Sequence, residues 1–423
     1  MVESVTGDHW DQLDTLDLQS AVVDGFARLI TIDSTQPTDQ ALDEALSALS
    51  IDQVNSNEPL LNRLHSELLP LLKEQLNTIS LSLIPSTISS KEPDKKLLRL
   101  ILRTQSEIER TIYQIRSMIT AVCPVCSGPI SEVSVTHRTD DQHLKAQKSF
   151  RLFRVQELFN QSVMFIMHPV FTQAQGLFHQ LVTIPPNELK PESDRPSYRG
   201  ELTFFISCAS TAIDWTIRTI NGPELEIAQE YWKRELPWFN FYIRELLELT
   251  TPLPPTAIEL TVERQQDLGV LVHGTVIQVA KLIIPIIKLI RLLFNKLSKR
   301  PMNPKEGFPL FTEMCSSQLE SLARQLKRIS QDIKLLLDLL NKADRSFDDM
   351  ISYEFTGVIQ NLKSRLDSLL LLILLYFVPS IQNTDAFSTQ DDYKAWLVTW
   401  NTQLILSIHN FDDAVRLFHN NPF

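Results

Sequence analysis

The sequence predicts an all-α protein built as two antiparallel bundles of long helices, and three observations lead there. In one stretch apolar residues recur in alternating three- and four-residue steps, at Leu319, Leu322, Leu326, Ile329, Ile333, Leu336 and Leu340. That spacing lays a single stripe along a helix, of the kind that packs against neighbours with coiled-coil geometry. The same rhythm returns at Ile351, Phe355, Val358, Leu362, Leu366, Leu369, Ile373 and Tyr376. It returns again at Tyr393, Leu397, Trp400, Leu404, Ile408, Phe411, Val415 and Phe418. Three such helices joined by short polar segments make antiparallel neighbours. The third observation is scarcity of glycine: 10 residues in 423, where average usage of about 7% would give roughly thirty. Tight hairpins and phosphate-cradling loops both consume glycine, and the chain has no GxGxxG and no GxxxxGK[ST]. Dinucleotide and P-loop folds are therefore not expected.

In chain order, helical patterns cover about 9–31, 39–50, 57–83, 95–121, 141–181, 200–221, 223–249 and 257–299, ahead of the three seams. Prolines mark the breaks at Pro85, Pro124, Pro185, Pro186, Pro223, Pro252, Pro301 and Pro379. Pro169, Pro237 and Pro285 fall inside helical patterns and are expected to kink or split them. Only Val133 to Thr136 alternates like a strand. The stretch "IPPNELKPESDRPSYRGE", 184–201, is rich in proline and charge and reads as a linker. It divides an N-terminal bundle, 1–183, from a C-terminal bundle, 202–423. Two segments are apolar on every side, 282–287 and 369–378, which is the pattern of a helix at the centre of a bundle, with an exposed docking face or dimer interface as the alternative.

Charge is distributed unevenly. The net charge is −11, and residues 1–60 alone carry twelve acids and one base, Arg28, so the rest is neutral overall. Conversely, Lys281, Lys288, Arg291, Lys296, Lys299, Arg300 and Lys305 occur from 281 to 305 without one acid. On a helix the first of these share one side, opposite Ile284, Leu289, Leu293 and Leu297. A solvated face accounts for that; a site for an anionic partner is the functional alternative. Residues 9–31 also have an apolar face, including Val22, Phe26 and Leu29. Either 9–31 are one more bundle helix with acids facing water, or residues 1–60 fold back against the 281–305 helix and mask it from anionic partners.

Chemistry-bearing motifs are few. Cys123, Cys126, His137 and His143 have spacing near that of a zinc finger. The intervening "SGPISEVSVT" lacks the aromatic and leucine that pack a finger's core, so the reading is an inter-helix loop and no metal. A redox CxxC belongs at a helix N-terminus, where the dipole lowers the thiol pKa, whereas this pair follows a helix end near Val122. No HExxH, GxSxG or Glu-x-x-His occurs. "FDDMISYE", with Asp348, Asp349 and Glu354, departs from the Asp-rich motif of magnesium-diphosphate enzymes. The Asp-Asp pairs at 140, 348, 391 and 412 read mostly as helix starts. The aromatic run "YWKRELPWFNFYI", 231–243, reads as core, with Trp232, Pro237, Phe239 and Ile243 on one side; a stacking surface is the alternative. His273 reads as a satisfied core residue.

The stretch "KLIRLLFNKLSKRPMNPKEGFPLFTEMCSSQLESL" resembles segments of uncharacterised helical proteins found in many copies in rust fungi, chiefly over 280–423. More distantly, the two-bundle layout is similar to the cyclin-D-interacting protein family, itself related in architecture to vinculin and α-catenin bundles. That resemblance implies an intracellular binding protein acting on helical regulators, and it carries over no site residue. The expected function is therefore a non-enzymatic helical-bundle interaction protein with an unidentified protein partner and no cofactor. An α-helical enzyme with a dispersed metal or diphosphate site is the alternative. The acidic N-terminus lacks the basic start and apolar run of a signal peptide. The longest apolar run, Leu369 to Val378, is ten residues where a span needs about twenty. Four cysteines, with Cys208 and Cys315 isolated, make no disulfide framework, so cytosol or nucleus is expected.

Overall fold

The computed structural model describes residues 14–32, 57–83, 94–123, 138–183, 198–251, 270–298, 308–346, 349–381 and 389–420. These hold ten helices and, among the described residues, no strand; Val133 to Thr136 lies outside them. In order they are α1 (Thr15–Thr31), α2 (Asn57–Arg63, a π turn Leu64–Leu68, then Leu69–Ser82) and α3 (Lys95–Val122). Next come α4 (Ser149–Leu158, a π turn Phe159–Met164, then Phe165–Thr183), α5 (Tyr198–Asn221) and α6 (Glu224–Leu249). The last are α7 (Gly274–Ser298), α8 (Ser316–Arg345), α9 (Asp349–Leu372, a π turn Ile373–Phe377, then Val378–Ser380) and α10 (Thr389–Asn420). The chain is all-α, as its apolar period dictates. The expected helix at 39–50 lies outside the described residues.

The chain divides into two compact units, 1–137 with 144–221, and 138–143 with 222–423. The boundary expected at 184–201 thus moves to Asn221/Gly222. The reason is packing. One face of α5, with Leu202, Ile206, Ala209, Ile213 and Ile220, is buried in the first unit's core against α2 and α4. Proline and charge made 184–201 look like a linker between bundles, but the helix after it belongs to the unit before it.

In the first unit α1 contacts α3 and α4 through Leu18, Val22, Phe26 and Leu29, all buried. Its backbone carbonyls are held by side chains of its neighbours. Gln105 Nε2 donates to the Val22 carbonyl (3.0 Å), Gln175 Nε2 to Val23 (3.2 Å) and Arg116 to Ile32 (2.8 Å). The first of the two readings of this segment therefore holds. The apolar face of α1 is consumed by the first unit's core and is not available to dock on a basic helix. At the other end of this unit, buried Arg151 donates to the carbonyls of Thr219 (2.7 Å) and Ile220 (3.0 Å), closing the C-terminus of α5.

The second unit is a ring of five helices in which α6 touches α7, α7 touches α10, α10 touches α9, α9 touches α8, and α8 returns to α6. Contacts give each pair a direction. Gln229 reaches the Leu297 carbonyl and Trp232 meets Phe294, so α6 and α7 are antiparallel. Trp400 Nε1 donates to the Leu289 carbonyl (2.7 Å) while Lys296 lies over Tyr393, so α7 and α10 are antiparallel. Ser352 meets His419 and Phe377 meets Tyr393 across α9 and α10. Gln318 meets Tyr376 and Lys342 meets Glu354 across α8 and α9. Five is odd, so a ring that alternates direction must contain one parallel pair. It is α6/α8: Trp232 Nε1 donates to the Leu322 carbonyl (3.0 Å) and Tyr242 meets Ser330 (3.0 Å), both indices rising together.

The three seams fill this ring, from Leu319 to Leu340, Ile351 to Ile373 and Leu397 to Phe418. Each fully buried side chain contributes about 1.5–3 kcal/mol of apolar transfer. The ring also separates the two all-apolar segments. On α7, which also touches α8, Ile283, Ile284, Ile286 and Ile287 are buried, as expected. On α9, with α8 and α10 as its main neighbours, Leu371, Leu374 and Leu375 are exposed, the last by 55%. A helix between two neighbours keeps an outer face, so the expectation that 369–378 is central is corrected.

Buried carboxylates close helix starts from a distance. Asp141 accepts from Ser316 N–H (2.8 Å) and from its hydroxyl, and the Arg138 carbonyl accepts from Ser317 N–H (3.1 Å). Together they satisfy two of the first N–H groups of α8. Asp344 holds the segment that leads into α7, accepting from the N–H groups of Val272 (3.0 Å) and His273 (2.8 Å), both ahead of the helix. His273 is satisfied, as expected, yet it lies ahead of α7 and pairs with Asp344 (3.1 Å) rather than sitting on a helix face. Of the Asp-Asp pairs, 391 falls in a first turn, whereas 412 lies inside α10 and Asp141 caps a helix other than its own. Helices α4, α6 and α7 run unbroken through Pro169, Pro237 and Pro285. The π turns ending at Leu68 and Phe377 stand just ahead of Pro70 and Pro379. There the missing proline N–H leaves a carbonyl to find the next donor along.

Candidate functional site

The parallel seam between α6 and α8 opens into a groove of ≈ 410 Å³, lined by Glu235, Trp238, Phe241, Tyr242 and Glu245 from α6 and, among others, Lys327, Lys334 and Asp338 from α8. On α6 the side chains at 235, 238, 242 and 245 recur at helical spacing and share a face. On α8 the residues at 327, 331, 334 and 338 do likewise. The floor is closed by the Tyr242–Ser330 hydrogen bond (3.0 Å) and by Leu337. Trp238 and Phe241 stand open above it, 53% and 42% exposed, with their rings edge to face at 6.1 Å. An exposed hydrophobic lip of this kind is the sort of patch that binding surfaces carry.

The aromatic run at 231–243 therefore does two jobs. Trp232, Phe239 and Ile243 are buried, as expected for core, with Trp232 at 0% exposure. Pro237, assigned to the same side, is exposed instead. Trp238 is six residues from Trp232, well round the helix at 100° per residue, and faces the groove. The heptad seam of α8 gave no hint of the groove, because its lining uses the polar positions. Acids near the end of α6 were the available signal. Glu245 and Glu248 stand in its last turns, no base stands in the last one, and carboxylates there oppose the helix dipole.

Electrostatics at the groove are strained toward the neutral carboxyl. Glu235 is raised above the usual carboxylate range by burial, against the pull of Lys327. Glu245 is raised by burial first, then by the charges of Asp338 and Glu248, with Lys334 opposing. No ion pair within 4.0 Å closes on Glu235, Glu245 or Asp338 among the described residues. Arg244 is engaged elsewhere, 4.0 Å from Glu248 and over the Phe241 ring at 5.6 Å.

The basic cluster is only partly a free surface. Lys281 and Lys288 are exposed on α7 and close no ion pair among the described residues. Arg291 donates to Asn240 on α6. Lys296 is stacked 5.5 Å from the rings of both Tyr393 and Trp396 on α10, a cation–π arrangement that already uses its charge. Lys299, Arg300 and Lys305 lie outside the described residues.

At the cysteine motif, Cys126 and His137 lie outside the described residues and His143 is exposed. Cys123 is buried, and its thiol donates to the Leu152 carbonyl at 3.2 Å. The loop reading is corrected for this residue: it closes the end of α3 against α4 as a small core side chain. Among the described residues no group of three His, Cys, Asp or Glu side chains is arranged to hold a metal ion. Of "FDDMISYE", Asp348 lies outside the described residues and Glu354 is paired with Lys342 at 3.5 Å.

Two family models match the chain. Residues 223–413 match a domain of unknown function (DUF8721), and residues 57–221 match another domain of unknown function (DUF8723). The junction between the two matches coincides with the structural division at Asn221/Gly222. No curated protein and no solved structure matches the chain. No described helix is long and apolar enough to cross a membrane.

Proposed function

We propose that the chain is a non-enzymatic interaction protein of the cytosol or nucleus that holds a protein partner in the α6/α8 groove. The observation that carries this reading is the pair Trp238 and Phe241, two large aromatic rings left open on a structured groove floor. Aromatic side chains are the residues that interfaces concentrate at their centres, because they remove much apolar area from water for few frozen torsions. Free thiols at Cys123, Cys208 and Cys315 suit a reducing compartment. The layout's similarity to cyclin-D-interacting and vinculin-like bundles points the same way.

The test is affinity capture with the full chain beside its Trp238→Ser/Phe241→Ser variant, followed by mass spectrometry and reconstitution of each hit from purified proteins. A partner that binds the parent directly and loses at least tenfold in affinity with the variant supports the reading. Hits that bind both chains equally overturn the groove as the site. Unchanged melting of the variant shows that the fold is intact.

A further inference from the structure

Resting on that reading, we infer that the groove takes a basic amphipathic helix, with a bulky apolar side chain on Trp238 and Phe241 and an arginine or lysine two turns away between Glu245 and Asp338. Charge and geometry select this occupant. The lining carries three carboxylates, Glu235, Glu245 and Asp338, against two ammonium groups, Lys327 and Lys334. The imbalance is concentrated at one end, where Glu245, Glu248 and Asp338 face Lys334.

The parallel pairing of α6 and α8 sharpens it. In an antiparallel pair the positive end of one helix dipole lies beside the negative end of the other. Here both helices run toward the Glu245–Asp338 end of the groove, so neither brings the positive end of its dipole there; the last turn of α6 holds no base, while Lys342 and Arg345 occupy the last turn of α8. Glu245 stands near the negative end of α6, beside Asp338 and partly out of water; Lys334 opposes that charge from across the groove, and no ion pair within 4.0 Å closes on it among the described residues. Local conflicts of this kind collect at functional sites. A guanidinium or ammonium group entering there relieves the repulsion between Glu245 and Asp338 and meets, at Glu245, a carboxylate already partly out of water.

The spacing follows from the helix. Trp238 and Glu245 are seven residues apart on one face of α6, two turns or about 10 Å at 1.5 Å per residue. A partner helix lying along the groove presents side chains seven apart at the same pitch. The partner motif is therefore a large apolar residue with a basic residue seven positions from it. The aromatic lip gives affinity, and the acidic end selects the sign of charge and fixes the register.

Fluorescence anisotropy on the full-length chain tests this with fluorescein-labelled, alanine-rich helical peptides. One carries a central tryptophan with arginine seven positions to either side, so that both binding directions are offered. A control has glutamate in place of both arginines. The arginine peptide is expected to bind at least tenfold tighter, with the preference shrinking as salt rises. The Glu245→Gln/Asp338→Asn variant should lose that preference while melting at the same or a higher temperature, since it removes repulsion and no ion pair. Equal binding of the two peptides, binding of neither, or a preference that survives in this variant overturns the inference. The Trp238→Ser/Phe241→Ser capture experiment stands apart from these outcomes. A partner lost with that variant keeps the groove as a binding site even where the arginine preference fails.

Discussion

Gly25 of α1 lies directly against the side chain of Gln105 on α3, so close that a β-carbon at position 25 would overlap the Gln105 amide. The two helices approach here because glycine allows it, and Gln105 uses the approach to donate to the Val22 carbonyl at 3.0 Å. Gly25→Ala is expected to displace that amide and destabilise the first unit by about 1–2 kcal/mol. The gain in helix propensity, about 0.5–1 kcal/mol, offsets only part of the overpacking and the lost hydrogen bond. Urea unfolding measures the loss, and adding Gln105→Ala should recover part of it. Additive costs would show that the two residues do not conflict.

Asp141→Ala removes a buried carboxylate that accepts two hydrogen bonds from Ser316, at the start of the 30-residue helix α8. The expected cost is about 2–4 kcal/mol, combining a lost helix cap with buried donors left unsatisfied. The loss should fall on the second unit's unfolding transition. Asp140→Ala provides the control, because Asp140 is exposed, and should change stability by no more than about 0.5 kcal/mol.

Trp232 and Trp238 should separate stability from binding. Trp232 is buried, donates to the Leu322 carbonyl at 3.0 Å and meets Phe294 edge to face at 5.3 Å. Trp232→Ala is expected to cost about 3–5 kcal/mol. Trp238→Ser is expected to change stability by no more than about 0.5 kcal/mol. Thermal melts of both variants check the contrast; a large loss for Trp238→Ser would mean that its ring is structural.

Glu245→Gln should alter the pH dependence of stability with a definite sign. Its carboxyl is raised by burial, then by Asp338 and Glu248, so the folded chain binds this proton more tightly than the unfolded chain. Well below about pH 4.3, the ordinary glutamate value, both states are protonated and the group costs nothing. As pH rises from there through the raised folded pKa, ionisation costs the folded state a growing amount and then levels off. Glu245→Gln should therefore gain stability over the parent between about pH 4 and 7, and the two should converge at lower pH. A difference that is constant with pH would remove Glu245 as the cause.

Helix positions were legible in the sequence because a helix's apolar stripe is a local signal. The seams from Leu319 to Leu340, Ile351 to Ile373 and Leu397 to Phe418 are buried as their spacing requires. Relations between distant residues were not legible. Nothing near Asp141 points to Ser316, and nothing in α6 or α8 alone states that they run parallel. The exposure of Leu371, Leu374 and Leu375 depends on how many helices surround α9, which composition does not encode. The groove was half visible. The aromatic run at 231–243 drew attention, but separating Trp238 from Trp232 requires knowing which side of α6 the ring of helices encloses.

Residues 138–143 are made long before the helix that they close: Ser316 follows Asp141 by 175 positions. At about 5–20 residues per second of synthesis, the nascent chain carries this cap outside the ribosome for roughly 9–35 s before α8 begins to emerge. For the later part of that interval, once Asn221 has been made, the segment lies within a chain whose first unit has all its helices available to fold. The second unit cannot complete its last contacts until its own C-terminal chain returns to a strip of polypeptide laid down early. Vectorial synthesis thus ties the maturation of the two units together, and a fragment beginning at 222 would leave the start of α8 without the groups that satisfy it.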